Sequence, residues 1–387
     1  MNPFKIIHED KKTKARVGVL NTKKGKIETP FFMPVATKTT VKYLSSEDLH
    51  ELGAKAIISN TFILHLAPGE KLIKELGGIG KFMNFKGINV TDSGGFQMYS
   101  PYCYIKSTDL GVWFRNPLSG QKLFISPEKD MEIQIDLNSE IAMCLDRMPL
   151  IKDSQEEIAD AVRKTTLWAE RCKIHHDKLQ KNIKKKQLLF GITQGGIYPD
   201  LRKSSAEQLL KFDFDGYSIG GLALGETKEQ EYKAIESHKS VVPKEKITYL
   251  MGAGHPVEIL EAIARGVDMF DSRFPTQNAR RGTVFTSEGK LRLFNSRYIK
   301  DTSPLDKNCR CFVCRNYSRA YIRYGLKQEE GNARRLATYH NLHYLADMIA
   351  NARKAIKKGK FLEFKENIRK IYEKSDGMTE KVDYSEE

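Results

Sequence analysis

Three observations predict an α/β fold for this chain, a (β/α)8 TIM barrel. Eight short apolar, β-branched runs lie between residues 29 and 271, and all but the first close on Gly, Asn or Asp. Helical patterns with clear starts fill the intervals. Polar or glycine positions, namely Asn60, Asp92, Asp146, Gln194, Gly221, Gly252 and Asp271, sit at or just past the run ends. Alternating strands and helices imply a parallel sheet, and eight units over this length match a barrel, with a doubly wound open sheet as runner-up. In a barrel the strand ends converge on one mouth, where barrel enzymes keep their sites, whereas an open sheet strings them along an edge. Any single Asp or Asn there reads equally well as the cap of a following helix, but seven together are hard to assign to capping.

The runs are "TPFFMPVA" from 29, "AKAIISN" from 54, "GINVTD" from 87, "EIAMCLD" from 140, "LLFGITQGG" from 188, "GYSIGG" from 216, "ITYLMGAG" from 247 and "VDMFD" from 267. Helix starts appear at Ser45, at Ser126 followed by Pro127, and at Thr227 before "KEQEYKAIESH", each with capping chemistry. Residues 97–125 interrupt the alternation and read as a β-rich insertion with turn chemistry at "NPLSG". The chain thus divides into a barrel over 1–282, a metal-binding subdomain over 283–350 with a helix from near Gly331, a basic helix over 351–375, and an acidic tail over 376–387 that is expected to be disordered.

Apolar residues make up 40% of the chain, enough for a sizeable core, and the formal net charge is +15. Such an excess implies a polyanionic partner, nucleic acid ahead of a membrane surface, although runs such as "KNIKKK" also read as solvated surface. The N-terminus is charged where a signal peptide needs an apolar segment, and no run is long and apolar enough to span a bilayer. A soluble, cytoplasmic protein is expected. Six cysteines in a reducing compartment do not suggest disulfides; three crowd into Cys309-x-Cys311-x-x-Cys314. Zinc takes four ligands in structural sites, so a histidine on the following helix should complete the set, with His340 the nearest candidate and His343 one turn further. No position then remains for a reactive water, which makes the metal structural.

Four acids lie near strand ends: Asp92, Asp146, Asp268 and Asp271. Asp268 precedes its strand and is expected to face solvent. Asp271 ends its strand at the mouth, followed by Arg273, Arg280 and Arg281, which are placed to hold a phosphate backbone while the acid meets a sugar. Two carboxylates in differing environments suit displacement at an anomeric carbon. The stretch "TDSGGFQ" also resembles the setting of a nucleophilic serine, but Ser93 has no convincing histidine partner in the sequence.

With "ETPFFMPVATKTTVK", "TDSGGFQ", "GITQGG", "SIGGLALGE", "YLMGAGHP", "RGVDMFDSRFPTQNARRG" and "CRCFVCRNYSRAYI" in this order, the chain resembles the tRNA-guanine transglycosylases, or queuine tRNA-ribosyltransferases, most closely their bacterial-type branch, from about Phe4 to about Ile371. The resemblance implies a zinc-containing barrel, one structural zinc per chain, that exchanges guanine at the tRNA wobble position for a free 7-deazaguanine base without cutting the strand. Asp271 matches the nucleophile and Asp92 the general acid and base. Asp146, Gln194 and the backbone of Gly221 and Leu222 match the positions that read the purine edge, Phe96 and Met251 those that sandwich it, and Glu226 one near the 7-substituent. Arg273, Arg280 and Arg281 are expected on the tRNA, Cys309, Cys311, Cys314 and His340 on the zinc, and a homodimer through "NYSRAYIRY".

Several positions depart from the family pattern. Arg147 and Met148 replace an acid and a cysteine, Ser272 replaces a cysteine, and Gln277 stands where an arginine contacts the tRNA backbone. Met148 and Leu224 leave little room, which favours the small base 7-aminomethyl-7-deazaguanine over queuine, with Glu226 available to its ammonium group. Two alternatives stand beside this reading. An archaeosine-type enzyme, taking 7-cyano-7-deazaguanine to the D-arm, usually carries added C-terminal RNA-binding domains. A non-catalytic tRNA-binding subunit would have lost the acids that are present here.

Overall fold

The computed structural model describes residues 2–100, 102–117, 119–150 and 152–377, with the side chains of 96, 97, 376 and 377 outside the described set; most of the expected acidic tail therefore lies beyond the described residues. All eight apolar runs form strands: β1 (Phe31–Pro34), β2 (Ala56–Asn60), β3 (Ile88–Asp92), β4 (Ile141–Met143), β5 (Leu188–Thr193), β6 (Gly216–Ile219), β7 (Ile247–Leu250) and β8 (Met269–Ser272). They pair in parallel in the order β1-β8-β7-β6-β5-β4-β3-β2, and a parallel bridge from Val35 to Ile58 closes the ring. The barrel is the predicted one, and the open sheet is excluded by that closure. Its interior holds Met33, Ile58, Val90, Met143, Ile192, Tyr249 and Met269, all nearly or fully buried, as a packed core.

Local chemistry sets the helix starts as expected. Ser45 and Thr227 form capping boxes with Asp48 and Gln230, and Ser126 caps Pro127–Leu137 with proline at the first position. The insertion is a three-stranded antiparallel sheet, Tyr104–Thr108, Gly111–Arg115 and Lys122–Ile125. Among the described residues, no helix is long and apolar enough to cross a membrane.

The N-terminal segment was not foreseen as structure. Phe4–Glu9, Arg16–Thr22 and Gly25–Thr29 form an antiparallel sheet whose Phe4, Leu20 and Ile27 join the barrel core from the end opposite the mouth. This sheet overturns the expectation for Asp268. Far from facing solvent, Asp268 is fully buried, paired with Arg16 through Nε–Oδ1 (2.9 Å) and Nη2–Oδ2 (2.5 Å), and it accepts the Thr248 N–H at 2.8 Å. The physical reason is that Arg16, on the unforeseen sheet, reaches the foot of β8 and neutralises the acid there.

Past the barrel, a hairpin (Thr283–Thr286 with Gly289–Arg292) leads to the cysteine cluster. A long helix, Gly331–Lys357, runs through residue 350, so the boundary expected there falls inside one continuous element; Phe361–Gly377 follows it. The long helix packs into the barrel. Asn341 Nδ2 donates to the carbonyls of Pro275 (2.9 Å) and Thr283 (3.1 Å), and Asn341 Oδ1 accepts the Phe285 N–H at 2.9 Å.

Candidate active site and metal centre

A cavity of about 330 Å³ opens at the C-terminal ends of the barrel strands. Asp92, Asp146 and Asp271 all line it, as do Gly221, Leu222, Met251, Met148, Leu224, Arg273 and Gln277. Each acid stands where its strand hands over to a loop, so the parallel barrel alone brings residues far apart in sequence to one chamber.

Asp271, on β8, accepts the Tyr249 hydroxyl at 2.5 Å and the Gly252 N–H at 3.1 Å, both at Oδ1. Burial raises its pKa, and those two donors oppose the rise by stabilising the charged form. Asp92, ending β3, accepts the Gly94 N–H (3.0 Å) at Oδ1 and Asn60 Nδ2 (3.2 Å) at Oδ2. Burial and then the nearby charge of Asp271 push its pKa up to about 7, against those hydrogen bonds. Burial raises both carboxylates and each accepts donors that oppose the rise; the contrast is that Asp92 also has the charge of Asp271 against it, which leaves it poised to hold or release a proton near neutrality.

Asp146 is nearly buried, with Oδ1 accepting Ser93 Oγ at 2.8 Å and Oδ2 accepting Gln194 Nε2 at 2.7 Å; burial raises it to about 6. The Ser93 hydroxyl thus donates to Asp146 and also accepts the Gly95 N–H at 3.3 Å, and no histidine is hydrogen-bonded to it among the described residues. A Cβ on Gly95 would stand 2.7 Å from Asp146 Oδ1, and one on Gly221, whose φ is +67°, would meet Gln194 Oε1 at 2.7 Å. Both glycines let the backbone close on the polar edge.

Other expected positions divide. Gln194 is buried behind Asp146, and its Oε1 has no hydrogen-bond partner among the described residues. Glu226 lines an adjoining cleft instead, its carboxylate accepting the N–H groups of Ala223 (2.5 Å) and Leu224 (2.9 Å). The backbone of Phe96 lies in the short helix Gly95–Met98, but its side chain lies outside the described residues. Arg273 and Gln277 line the cavity, Arg281 is exposed, and Arg280 is half-buried on the helix Phe274–Arg280 that follows β8. Arg147 turns away from the cavity. Its guanidinium lies over Tyr99 (4.9 Å) and Tyr104 (5.9 Å) and pairs with Asp153 at 3.6 Å, which ties the insertion to the barrel. Tyr249 was missed, although a tyrosine in the strand "ITYL", two residues before Met251, was a readable signal of a polar tip aimed at the mouth.

In the C-terminal subdomain, ligand atoms of Cys309, Cys311, Cys314 and His340 all lie within 4.8 Å of one another. His340 Nε2 donates to the Phe285 carbonyl at 2.8 Å, so that nitrogen carries the proton and Nδ1, 3.3 Å from Cys314 Sγ and 3.6 Å from Cys311 Sγ, presents its lone pair to the thiols. Backbone N–H groups of Cys311 and Cys314 point at the sulfurs of Cys309 and Cys311 at 3.4 Å each. Three sulfurs and one imidazole nitrogen can hold a metal ion, and the spacing picked out the same four residues. His343 Nδ1 stands 3.6 Å from Cys309 Sγ, outside that group.

A family model described as queuine tRNA-ribosyltransferase matches residues 10–374. Proteins named queuine tRNA-ribosyltransferase are similar over 369 residues, 95% of this chain: that of Desulforamulus reducens at 46% identity over 98% of its length, that of Lysinibacillus sphaericus at 46% over 96%, and that of Staphylococcus aureus at 47% over 96%.

Proposed function

The chain belongs to the queuine tRNA-ribosyltransferase family, and on that premise we propose how its cavity carries out tRNA-guanine transglycosylation in queuosine biosynthesis. Asp271 attacks ribose C1′ as the bond to guanine breaks, forming an ester that joins enzyme to tRNA. Asp92 gives a proton to the departing purine and later takes one from the incoming 7-deazaguanine, whose nitrogen then displaces the carboxylate. No strand is cut, because the phosphodiester bonds take no part.

The observation that carries this reading is the contrast between the two acids on one cavity. The Tyr249 hydroxyl and the Gly252 N–H hold charge on Asp271, while burial and that charge keep a proton on Asp92 up to about pH 7. Positive charge developing on the ribose lowers its cost against the first, and the purine takes its proton from the second. A base must leave its stack to enter such a chamber, and a single-stranded loop offers it at the lowest cost, which supports the wobble position over a paired stem. Asp146, Gln194, Gly221 and Leu222 then read the purine edge, between Met251 and Phe96.

Met148 and Leu224 on the wall support the small base 7-aminomethyl-7-deazaguanine. In this reading Glu226 acts on the 7-substituent through the Ala223–Leu224 turn that it braces. Arg273, Arg280 and Arg281 grip phosphates beyond the mouth. Exposed Tyr321 and Tyr324 on the helix Arg319–Lys327 suit a homodimer contact, and the reaction belongs in the cytoplasm with its tRNA. The donor set suits zinc, one per chain, with Cys309, Cys311, Cys314 and His340 as ligands; bound there, it would stiffen the subdomain and do no chemistry. Elemental analysis should find about one zinc per chain, and Cys314→Ser should lose it.

A covalent trap tests the mechanism. Wild-type protein incubated with tRNA should give a denaturation-resistant adduct, Ser93→Ala should keep it, and Asp271→Asn should abolish it, with exchange falling by roughly a thousandfold or more. An adduct formed by Asp271→Asn would remove the nucleophile from this account.

A further inference from the structure

Behind the purine-reading edge lies a cation that the reaction as read above does not use. Arg202 sits on the helix Pro199–Leu210 and is fully buried, and no carboxylate hydrogen-bonds it among the described residues. Its Nη1 donates to the carbonyls of Thr193 (2.9 Å) and Gly220 (2.8 Å), and its Nη2 to that of Gly196 (2.8 Å). Thr193 and Gly220 immediately precede Gln194 and Gly221. Burial lowers the pKa of Arg202 to about 9, so it remains cationic at neutral pH. A buried charge is costly unless its donors are met, and here carbonyl dipoles meet both Nη atoms, while Nε has no hydrogen-bond partner among the described residues.

The Gly220–Gly221 peptide is trans, and a trans peptide holds its carbonyl and N–H on opposite sides of one plane. Pinning the Gly220 carbonyl on Arg202 therefore turns the Gly221 N–H the other way, toward the cavity that Gly221 lines. A cation on the carbonyl also polarises the peptide and strengthens that N–H as a donor.

We propose that Arg202 is a positioning residue for base selection, which through the Gly220–Gly221 peptide fixes and strengthens a donor for the 6-oxo group of the purine. The inference rests on the reading of the cavity as the base pocket. A donor needs an acceptor, and the outer edge of guanine offers N7 and O6. A 7-deazaguanine has no N7, so O6 is the acceptor on that edge shared by the leaving and the incoming base.

Calorimetry on the full-length protein without tRNA tests this, using guanine and 2-aminopurine, which lacks the 6-oxo group, with the variants Arg202→Gln and Arg202→Lys. Wild type should prefer guanine. Arg202→Gln should lose about tenfold in guanine affinity with 2-aminopurine changed less than about twofold, and Arg202→Lys, which keeps the charge, should recover part of the preference. A purely structural role would weaken both bases together; that result, or an unchanged preference in the variants, overturns the proposal. If circular dichroism shows that neither variant folds, Arg202 belongs to folding and the proposal is likewise overturned. A wild type that neither binds guanine nor exchanges labelled guanine into tRNA would sink the base-pocket reading and this inference with it, whereas a wild type that exchanges guanine beside variants that keep its preference sinks this inference alone.

Discussion

Asp268 and Asp271 flank one short barrel strand and meet opposite electrostatic fates. Asp268, at the foot of β8, is matched by a buried arginine from the N-terminal sheet and locks the closed end of the barrel. Asp271, three residues on, has no cation hydrogen-bonded to it among the described residues; a phenol and a backbone N–H meet it, and it opens into a chamber with two other acids. The same residue type on the same strand is thus a fastener at one end and, on the function proposed above, a reactive group at the other. What differs is whether the surrounding fold supplies a full countercharge, and the mouth withholds it.

Substitution at each end should separate the two roles. Asp268→Asn strips the countercharge from Arg16 and should cost about 3–5 kcal/mol of stability while the folded fraction exchanges guanine at the wild-type rate; urea titration and exchange assays read the two quantities, and lost activity at unchanged stability would erase the distinction. Asp92→Asn should do the reverse. The pKa of Asp92 is raised to about 7 in the folded protein, above its unfolded value of about 4, so the folded state binds the extra proton. Its contribution to stability is present at low pH and is lost as pH rises through about 7. Asn carries no such loss. The variant should be inactive yet gain on the order of 2 kcal/mol over wild type between about pH 5 and about pH 8, as thermal melts at both values would show. The smallest effect belongs to the rim: Arg280→Ala should make the fall of tRNA affinity with log salt shallower by about one unit, and an unchanged slope takes Arg280 off the phosphates.

Much of the mouth was readable because its signals are local. Each strand announces itself as an apolar run, and the residue at its mouth end is the polar one that closes the run, so β3 delivers Asp92 and β8 delivers Asp271 to the cavity without knowledge of any neighbour. The metal set is legible for the same reason, since three cysteines within six residues need only a following helix to offer a histidine. The closed end was hidden. "FKIIHE" and "RVGVLNT" are short and carry charges, so they do not stand out as strands beside the eight apolar runs, and the Arg16–Asp268 pair spans 252 residues, which no local pattern reveals. Arg202 was hidden likewise, because on its own helix it is one basic residue beside Lys203, and its partners are carbonyls that every sequence contains.

With one side chain Asn341 grips the helix after Asp271, at Pro275, and the hairpin strand beyond it, at Thr283 and Phe285, where the barrel gives way to the cysteine-bearing segment. A seam riveted on three main-chain groups is no hinge. In the reaction proposed above, the burden of changing shape would then fall less on this seam than on the RNA loop, which must turn its base out to enter the cavity.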